Sequence, residues 1–309
     1  MKLENLFEKP HNGGSVCYNW GMNDERELVI NWFPGHMASA LRMISDQLKL
    51  CNVIIYVLDA RCAVSSLNPK FDSLVDRKPV LFVLNKIDLA PPNTLSSFLQ
   101  NEQVKKIYSR KGEFVHTVTL DSTTSGTSKK VTTAVEKILQ SQILAAKEKG
   151  ITKTIRAIVI GVTNCGKSTL INNLANKGKT QTGDKPGVTK TKQWVATIHP
   201  HFYLLDTPGT LFPALDNQKS TKNLAYAGSI RDEAIDFIAL AKHLLVDLER
   251  LRPGCINARF GATEFNDICK KRGYIIRGGL LDEERAAKAI LTEFRSGKIG
   301  KFNLDELNS

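Results

Sequence analysis

Ile155-Arg156-Ala157-Ile158-Val159-Ile160 runs directly into Gly161-Val162-Thr163-Asn164-Cys165-Gly166-Lys167-Ser168, and Thr169-Leu170-Ile171-Asn172-Asn173-Leu174 follows. The first six residues read as a buried strand and the last six as a helix. The eight between them fit G-x-x-x-x-G-K-[ST], the phosphate-binding P-loop. Glycines let backbone N–H groups turn inward around phosphate oxygens. The following helix adds partial positive charge at its N-terminus. In this reading Lys167 reaches the β and γ phosphates and the Ser168 hydroxyl ligates Mg²⁺. Asn164, Cys165, Gly166 and Thr169 belong to the same cradle. A Gly-rich turn alone would mean little; the strand before it and the helix after it give it meaning.

Three further segments take their meaning from the P-loop. Asp206-Thr207-Pro208-Gly209 closes the strand Phe202–Leu205. Alone it is a turn. Downstream of a P-loop, Asp206 stands where a carboxylate holds the Mg²⁺ shell, and the Gly209 N–H can meet a γ-phosphate. Asn85-Lys86-Ile87-Asp88 follows the strand Val80–Leu84. Alone it is a strand-end turn with a solvated acid. Beside a P-loop, Asp88 can accept two N–H bonds from guanine, which adenine cannot offer. Thr189, in the Gly/Pro-punctuated segment from Thr182, is placed to complete the Mg²⁺ shell from a mobile loop. Together these predict a GTPase. The base-reading segment precedes the P-loop, which is the reverse of the ordinary order and predicts a circular permutation. Each strand needs only its neighbours, so the sheet can still form.

Strands alternating with helices predict an α/β, doubly wound, mostly parallel sheet. The expected organisation is an extension over 1–30, a circularly permuted P-loop GTPase domain over 31–213 and a small helical domain over 214–309. A single helix is predicted over about 131–149. Ser229 and Asp232 resemble a capping box that opens an apolar stripe from Ile235 to Leu248.

The chain has 309 residues, a net charge of +12 and 42% hydrophobic residues. That is globular composition, and the positive balance points to a polyanionic partner, nucleic acid ahead of membrane. No apolar run approaches the ~18 residues of a membrane helix. Six cysteines with no C-x-x-C pair exclude zinc-ribbon and thioredoxin readings and fit reduced thiols. His199 and His201 fall near turns without acidic or Cys partners at ligand spacing, and read as surface residues. The acid-rich N-terminus is unlike a transit peptide, so a bacterial-type cytoplasm is expected ahead of an organelle matrix.

Over roughly 30–309 the sequence resembles the circularly permuted YlqF/RbgA-like GTPases of ribosome biogenesis. The resemblance rests on Trp32-Phe-Pro-Gly-His-Met37, on Asp59-Ala-Arg61 with Asn68-Pro69, and on the nucleotide motifs above. Thr182–Thr189 and the C-terminal Phe294-Arg-Ser-Gly-Lys298-Ile-Gly-Lys301 extend it. It implies GTP and GDP as ligands, Mg²⁺, K⁺ as a further cofactor, and a large ribosomal subunit precursor with its rRNA as partner. A monomer is expected. GTP hydrolysis is expected to be slow alone and stimulated by the particle.

By the resemblance, Asp121 and Ser122 pack on the guanine, and Asn164 helps ligate K⁺; a loop hydrogen bond is the other reading of Asn164. Where ordinary GTPases place a water-orienting Gln, this chain has Thr210, and the family is thought to use the histidine at His36. His36 and Thr210 are therefore the catalytic candidates, with a helix-capping role open for His36. Lys270, Lys271, Arg272, Arg277, Arg285, Lys288, Arg295, Lys298 and Lys301 form the expected rRNA contact, or else a solvated helical face. Two alternatives stand: a nucleotide-gated rRNA-binding module with negligible turnover, and a sibling GTPase acting on the small subunit.

Overall fold

Strand β1 (Val53–Asp59) is buried along its whole length. It pairs in parallel with β2 (Val80–Asn85) on one side and β4 (Ile155–Ile160) on the other. Beyond β2 lies β3 (Val115–Leu120); beyond β4 lies β6 (Phe202–Asp206), and β5 (Trp194–Ala196) pairs with β6 in antiparallel fashion. The order across the sheet is β3-β2-β1-β4-β6-β5. The computed structural model describes residues 35–71, 75–175, 194–206, 217–230 and 235–308, with backbone alone at 35–41, 70, 206 and 308.

The apolar runs are continuous because both faces of the sheet are covered. Val53, Ile55 and Val57 enter one core and Ile54, Tyr56 and Leu58 the other, the period of two that a strand imposes. Helices α1 (Gly35–Leu48), α2 (Thr94–Gln100) and α3 (Glu102–Lys111) cover the second face through Ile44, Leu48, Phe98, Val104 and Ile107. On the first face lie α4 (Thr127–Ile138) and α6 (Lys167–Leu174), with α5 (Gln140–Glu148) following α4. The same core continues into α7 (Gln218–Ala227), α8 (Phe237–Leu251), α9 (Cys255–Phe260), α10 (Phe265–Lys271) and α11 (Glu283–Arg295). Hydrophobic contact is thus unbroken from the sheet to the C-terminal helices.

The chain builds β2 and β3 on one side of β1 and then crosses to place β4 on the other. Such a reversal opens a crevice at the carboxyl ends of the strands, where α/β sheets take ligands. The P-loop leaves β4 there, beside Asp59 at the end of β1.

Two local expectations are corrected. The helix predicted over 131–149 is two helices, broken at Leu139, whose side chain is buried at φ −99° and ψ 11°. The predicted capping box does not start the long C-terminal helix. Asp236 does, accepting from the Ile238 and Ala239 N–H groups at 3.0 Å each, while Ser229 is buried and Asp232 lies outside the described residues. The five described cysteines are buried, and Cys62, Cys165, Cys255 and Cys269 are free thiols. Among the described residues no helix is long and apolar enough to cross a membrane.

Arg295, expected on the rRNA face, instead caps α7. Its Nε donates to Tyr226 O at 3.1 Å and an η nitrogen to Ala225 O at 2.9 Å. These are last-turn carbonyls, where a cation is favoured. Replacing Arg295 with alanine is expected to lower stability by about 2 kcal/mol, the worth of hydrogen bonds from a charged donor. Urea denaturation would measure it, and a loss under about 0.5 kcal/mol would count against the cap.

Candidate nucleotide site

Three residues of the P-loop have positive φ: Gly161 at 151°, Asn164 at 55° and Gly166 at 97°. A Cβ on Gly161 would overlap the Val57 carbonyl oxygen, and one on Gly166 would overlap Asn85 Nδ2. Glycine is therefore required at both for close approach as well as for φ. Lys167 is 6% exposed. Its Nζ folds back over the loop and donates to Gly161 O at 2.8 Å and Val162 O at 2.5 Å. Ser168 and Thr169, in the first turn of α6, are exposed. The Cys165 side chain is buried beneath the loop, and burial raises its thiol pKa. Cys165 thus contributes backbone to the cradle while its sulfur packs in the core.

The segment after β2 is joined to the P-loop by one amide. Asn85 Nδ2 donates to Cys165 O at 2.8 Å, and Asn85 Oδ1 accepts from Ser122 N at 2.9 Å and Ser122 Oγ at 2.7 Å. A single side chain ties three loops at the ends of three strands. Lys86, left-handed at φ 60°, donates from Nζ to Asn164 O at 2.5 Å and to Asp59 Oδ2 at 2.9 Å. Asp88 is exposed, two residues beyond Lys86. Asp121 Oδ1 accepts from Thr123 N at 2.8 Å and Thr123 Oγ1 at 2.7 Å. It shapes the loop that carries Ser122.

The Asp59–Arg61 pair was visible in the sequence only as part of a family resemblance, with no role attached. Asp59 is fully buried and Arg61 is 2% exposed. The pair is bidentate, with Nε to Oδ1 at 2.9 Å and an η nitrogen to Oδ2 at 2.7 Å. Burial alone would raise the Asp59 carboxyl; Arg61 and Lys86 outweigh it and hold it well below the usual carboxylate range. Arg61 also donates to Ala227 O at 3.0 Å and Arg295 O at 3.2 Å, reaching both α7 and α11. A carboxylate ending a wholly apolar strand, two residues before an arginine, was the available signal.

Asn164 does make the loop hydrogen bond that the sequence left open: Nδ2 donates to Gly228 O at 2.7 Å. A carbonyl only accepts, so the amide must present its nitrogen there. That leaves Oδ1, the one atom of this side chain able to ligate a cation, so the bond and a K⁺ role are compatible. Thr189, Gly209 and Thr210 lie outside the described residues. His36 and Asp206 are described by backbone alone, the first in the opening turn of α1 and the second as the last residue of β6.

Residues 156–252 match the 50S ribosome-binding GTPase family. Ribosome biogenesis GTPase A of Priestia megaterium is 34% identical over 289 residues, which cover 90% of this chain and 97% of that one. The chain belongs to the YlqF/RbgA family of ribosome biogenesis GTPases. Mitochondrial ribosome-associated GTPase 1 of Bos taurus is 32% identical over 303 residues, 90% of this chain and 89% of that one. GNP-bound YlqF from T. maritima superposes with a TM-score of 0.57 at 25% identity, covering 85% of this chain and 95% of that one. Its GDP-bound form gives 0.58 at 27% identity, covering 84% and 96%.

Proposed function

We propose that this chain binds GTP in the crevice between the P-loop and the Asn85–Asp88 loop, hydrolyses it to GDP and phosphate, and couples that cycle to late assembly of a large ribosomal subunit precursor and to its own release. The observation that carries the reading is the Asn85 amide. It joins the phosphate loop to both base-side loops, as a site holding a whole guanine nucleotide requires. The chain order, with the base-reading strand before the P-loop strand, supports a circularly permuted GTPase domain over 31–213 followed by a helical RNA-binding domain over 214–309.

The roles follow from chemistry. Backbone N–H groups of residues 164–169 take the phosphate oxygens and Lys167 the β and γ phosphates. Asp88 accepts the two guanine N–H donors, while Asp121 and Ser122 form the wall against the base. Ser168 at the start of α6 and Asp206 at the end of β6 lie at the same edge of the sheet, because β4 and β6 are neighbours. They would hold Mg²⁺ with Thr189. The ion neutralises charge on the phosphates when bound. Asn164 would serve K⁺ through Oδ1. His36 or Thr210 orients the attacking water. Exposed Arg277, Lys298 and Lys301 offer charge for rRNA. Lys270 and Lys288 sit in surface pairs with Asp267 and Glu284 that phosphate can displace, since such pairs are worth under about 1 kcal/mol. The bacterial relatives favour a cytoplasmic setting.

Asp88 gives a base-specific prediction. Asparagine there loses the charge-assisted pair with guanine but offers an amide donor to the carbonyl that xanthine carries in place of the exocyclic amine. Asp88→Asn is expected to weaken GDP binding ten- to hundredfold, about 1.4–2.8 kcal/mol, and to strengthen xanthosine diphosphate binding. Equal loss of both would argue against base reading by Asp88.

The deciding experiment is GTP hydrolysis in K⁺ and in Na⁺, with and without purified large subunits. Stimulation by large subunits, greater in K⁺, is expected. Tight GTP binding with no stimulation would favour the nucleotide-gated RNA-binding module. Stimulation by small subunits alone would favour the sibling role.

A further inference from the structure

Five consecutive carbonyls at the end of α7 each accept a hydrogen bond from a side chain elsewhere. Arg295 takes those of Ala225 and Tyr226, Arg61 that of Ala227, Asn164 that of Gly228, and Thr163 Oγ1 that of Ser229. Two of these donors are P-loop residues. We propose that the Gly228–Ser229 turn is a positioning element for the P-loop, gripped by Thr163 and Asn164, so that nucleotide affinity depends on how the C-terminal helices are seated. The inference rests on the GTPase reading above and deepens it.

The bonds close a ring. Lys86 Nζ donates to Asn164 O; Asn164 Nδ2 donates to Gly228 O; Ala227, the residue before, accepts from Arg61; Arg61 pairs with Asp59; and Asp59 accepts from Lys86. A base-side lysine, the phosphate loop and the end of α7 are members of one circuit. Movement of the turn must open it. Two members of the ring, Lys86 at φ 60° and Asn164 at φ 55°, hold left-handed backbone that a residue with a Cβ adopts at some cost, and Asn164 is the one inside the phosphate loop. Its own amide on Gly228 and the adjacent Thr163 hydroxyl on Ser229 hold that conformation in place. The N–H groups of 164–166 aim at phosphate only while it persists. By reciprocity, nucleotide that orders the loop must also steady the turn, and a partner that shifts the helices must loosen nucleotide.

Thr163 tests this cleanly, because valine keeps its shape and removes the donor while serine keeps the donor. The measurements are dissociation of fluorescent GDP from the full chain and amide exchange over 225–230 with and without GDP. The amides of Gly228 and Ser229 are bonded to Ala225 O and Leu224 O, so their protection is readable. Thr163→Val is expected to release GDP three- to tenfold faster while lowering the melting temperature by only about 2–4 °C, the worth of one lost hydrogen bond, and Thr163→Ser to stay within twofold of the parent in release and close to it in melting temperature. GDP is expected to slow exchange at 225–230 about tenfold in the parent and in Thr163→Ser but not in Thr163→Val. Equal GDP release from all three proteins would overturn the proposal. So would exchange at 225–230 that ignores GDP while the parent binds it, a result that needs no variant. Absence of GDP binding by the parent would instead remove the GTPase reading itself.

Discussion

Gly166→Ala is expected to weaken guanine-nucleotide binding by about three orders of magnitude, roughly 4 kcal/mol. Two costs add. At φ 97° an L-residue is strained, by about 1–2 kcal/mol. The new methyl also occupies the place of Asn85 Nδ2. Asn85 must then withdraw, and it carries three bonds: one to Cys165 O and two from Ser122. Each net bond is worth about 1 kcal/mol, and Asn85 is 2% exposed, so its orphaned groups have no easy access to water. The damage therefore spreads from the phosphate loop to the base-side loops. Isothermal titration with GDP would read the loss, with circular dichroism as the check on folding. Retention of affinity within tenfold would mean that Asn85 can move without consequence and does not organise the site.

What the sequence disclosed and what it hid divide along a physical line. The strands were legible because both faces of the sheet are covered, so Val53–Leu58 and Val80–Leu84 are unbroken apolar runs. The P-loop was legible because its chemistry demands fixed residue types at fixed spacing. Local choices with two equally good answers were not. Serine and aspartate both favour the N-cap position, but Ser229 is buried in the turn against the P-loop and Asp236 makes the cap. The Leu139 break was hidden because the apolar period continues through it, while the core draws Leu139 inward. The ring at the end of α7 could not be read at all. Apart from the Asp59 carboxylate its acceptors are backbone carbonyls, which every residue has, and their donors lie far away in the chain, as Arg61 does from Ala227.

Asp59→Ala is expected to be the most destabilising change in the nucleotide-binding half, at about 3–5 kcal/mol, the cost of stranding a buried charge. Arg61 would keep its guanidinium at 2% exposure with no carboxylate paired to it and only the more weakly coupled Asp88 as counter-charge. Its remaining partners are two carbonyls, which cannot neutralise it. Lys86, with its side chain 25% exposed, can turn to water and so loses less. A domain of this size has about 5–15 kcal/mol in hand, so the variant would fold marginally. Removing both partners in Asp59→Ala/Arg61→Met should recover part of the loss, since an apolar side chain replaces the stranded charge. A double-mutant cycle would expose the coupling. The pair also fixes a pH signature. The folded Asp59 carboxyl is held below its unfolded value of about 4, so its stabilisation is complete above that pH and is lost as pH falls through the folded value. Asp305 runs the other way. Burial raises its carboxyl against hydrogen bonds from Ser65 Oγ and the Val64 and Ser65 N–H groups, so its cost is felt at neutral pH and eases on acidification. In urea titrations the gap between parent and Asp59→Asn should be constant from pH 7 to 5 and narrow below about pH 4. A gap independent of pH would show that the charge on Asp59 does not stabilise the fold.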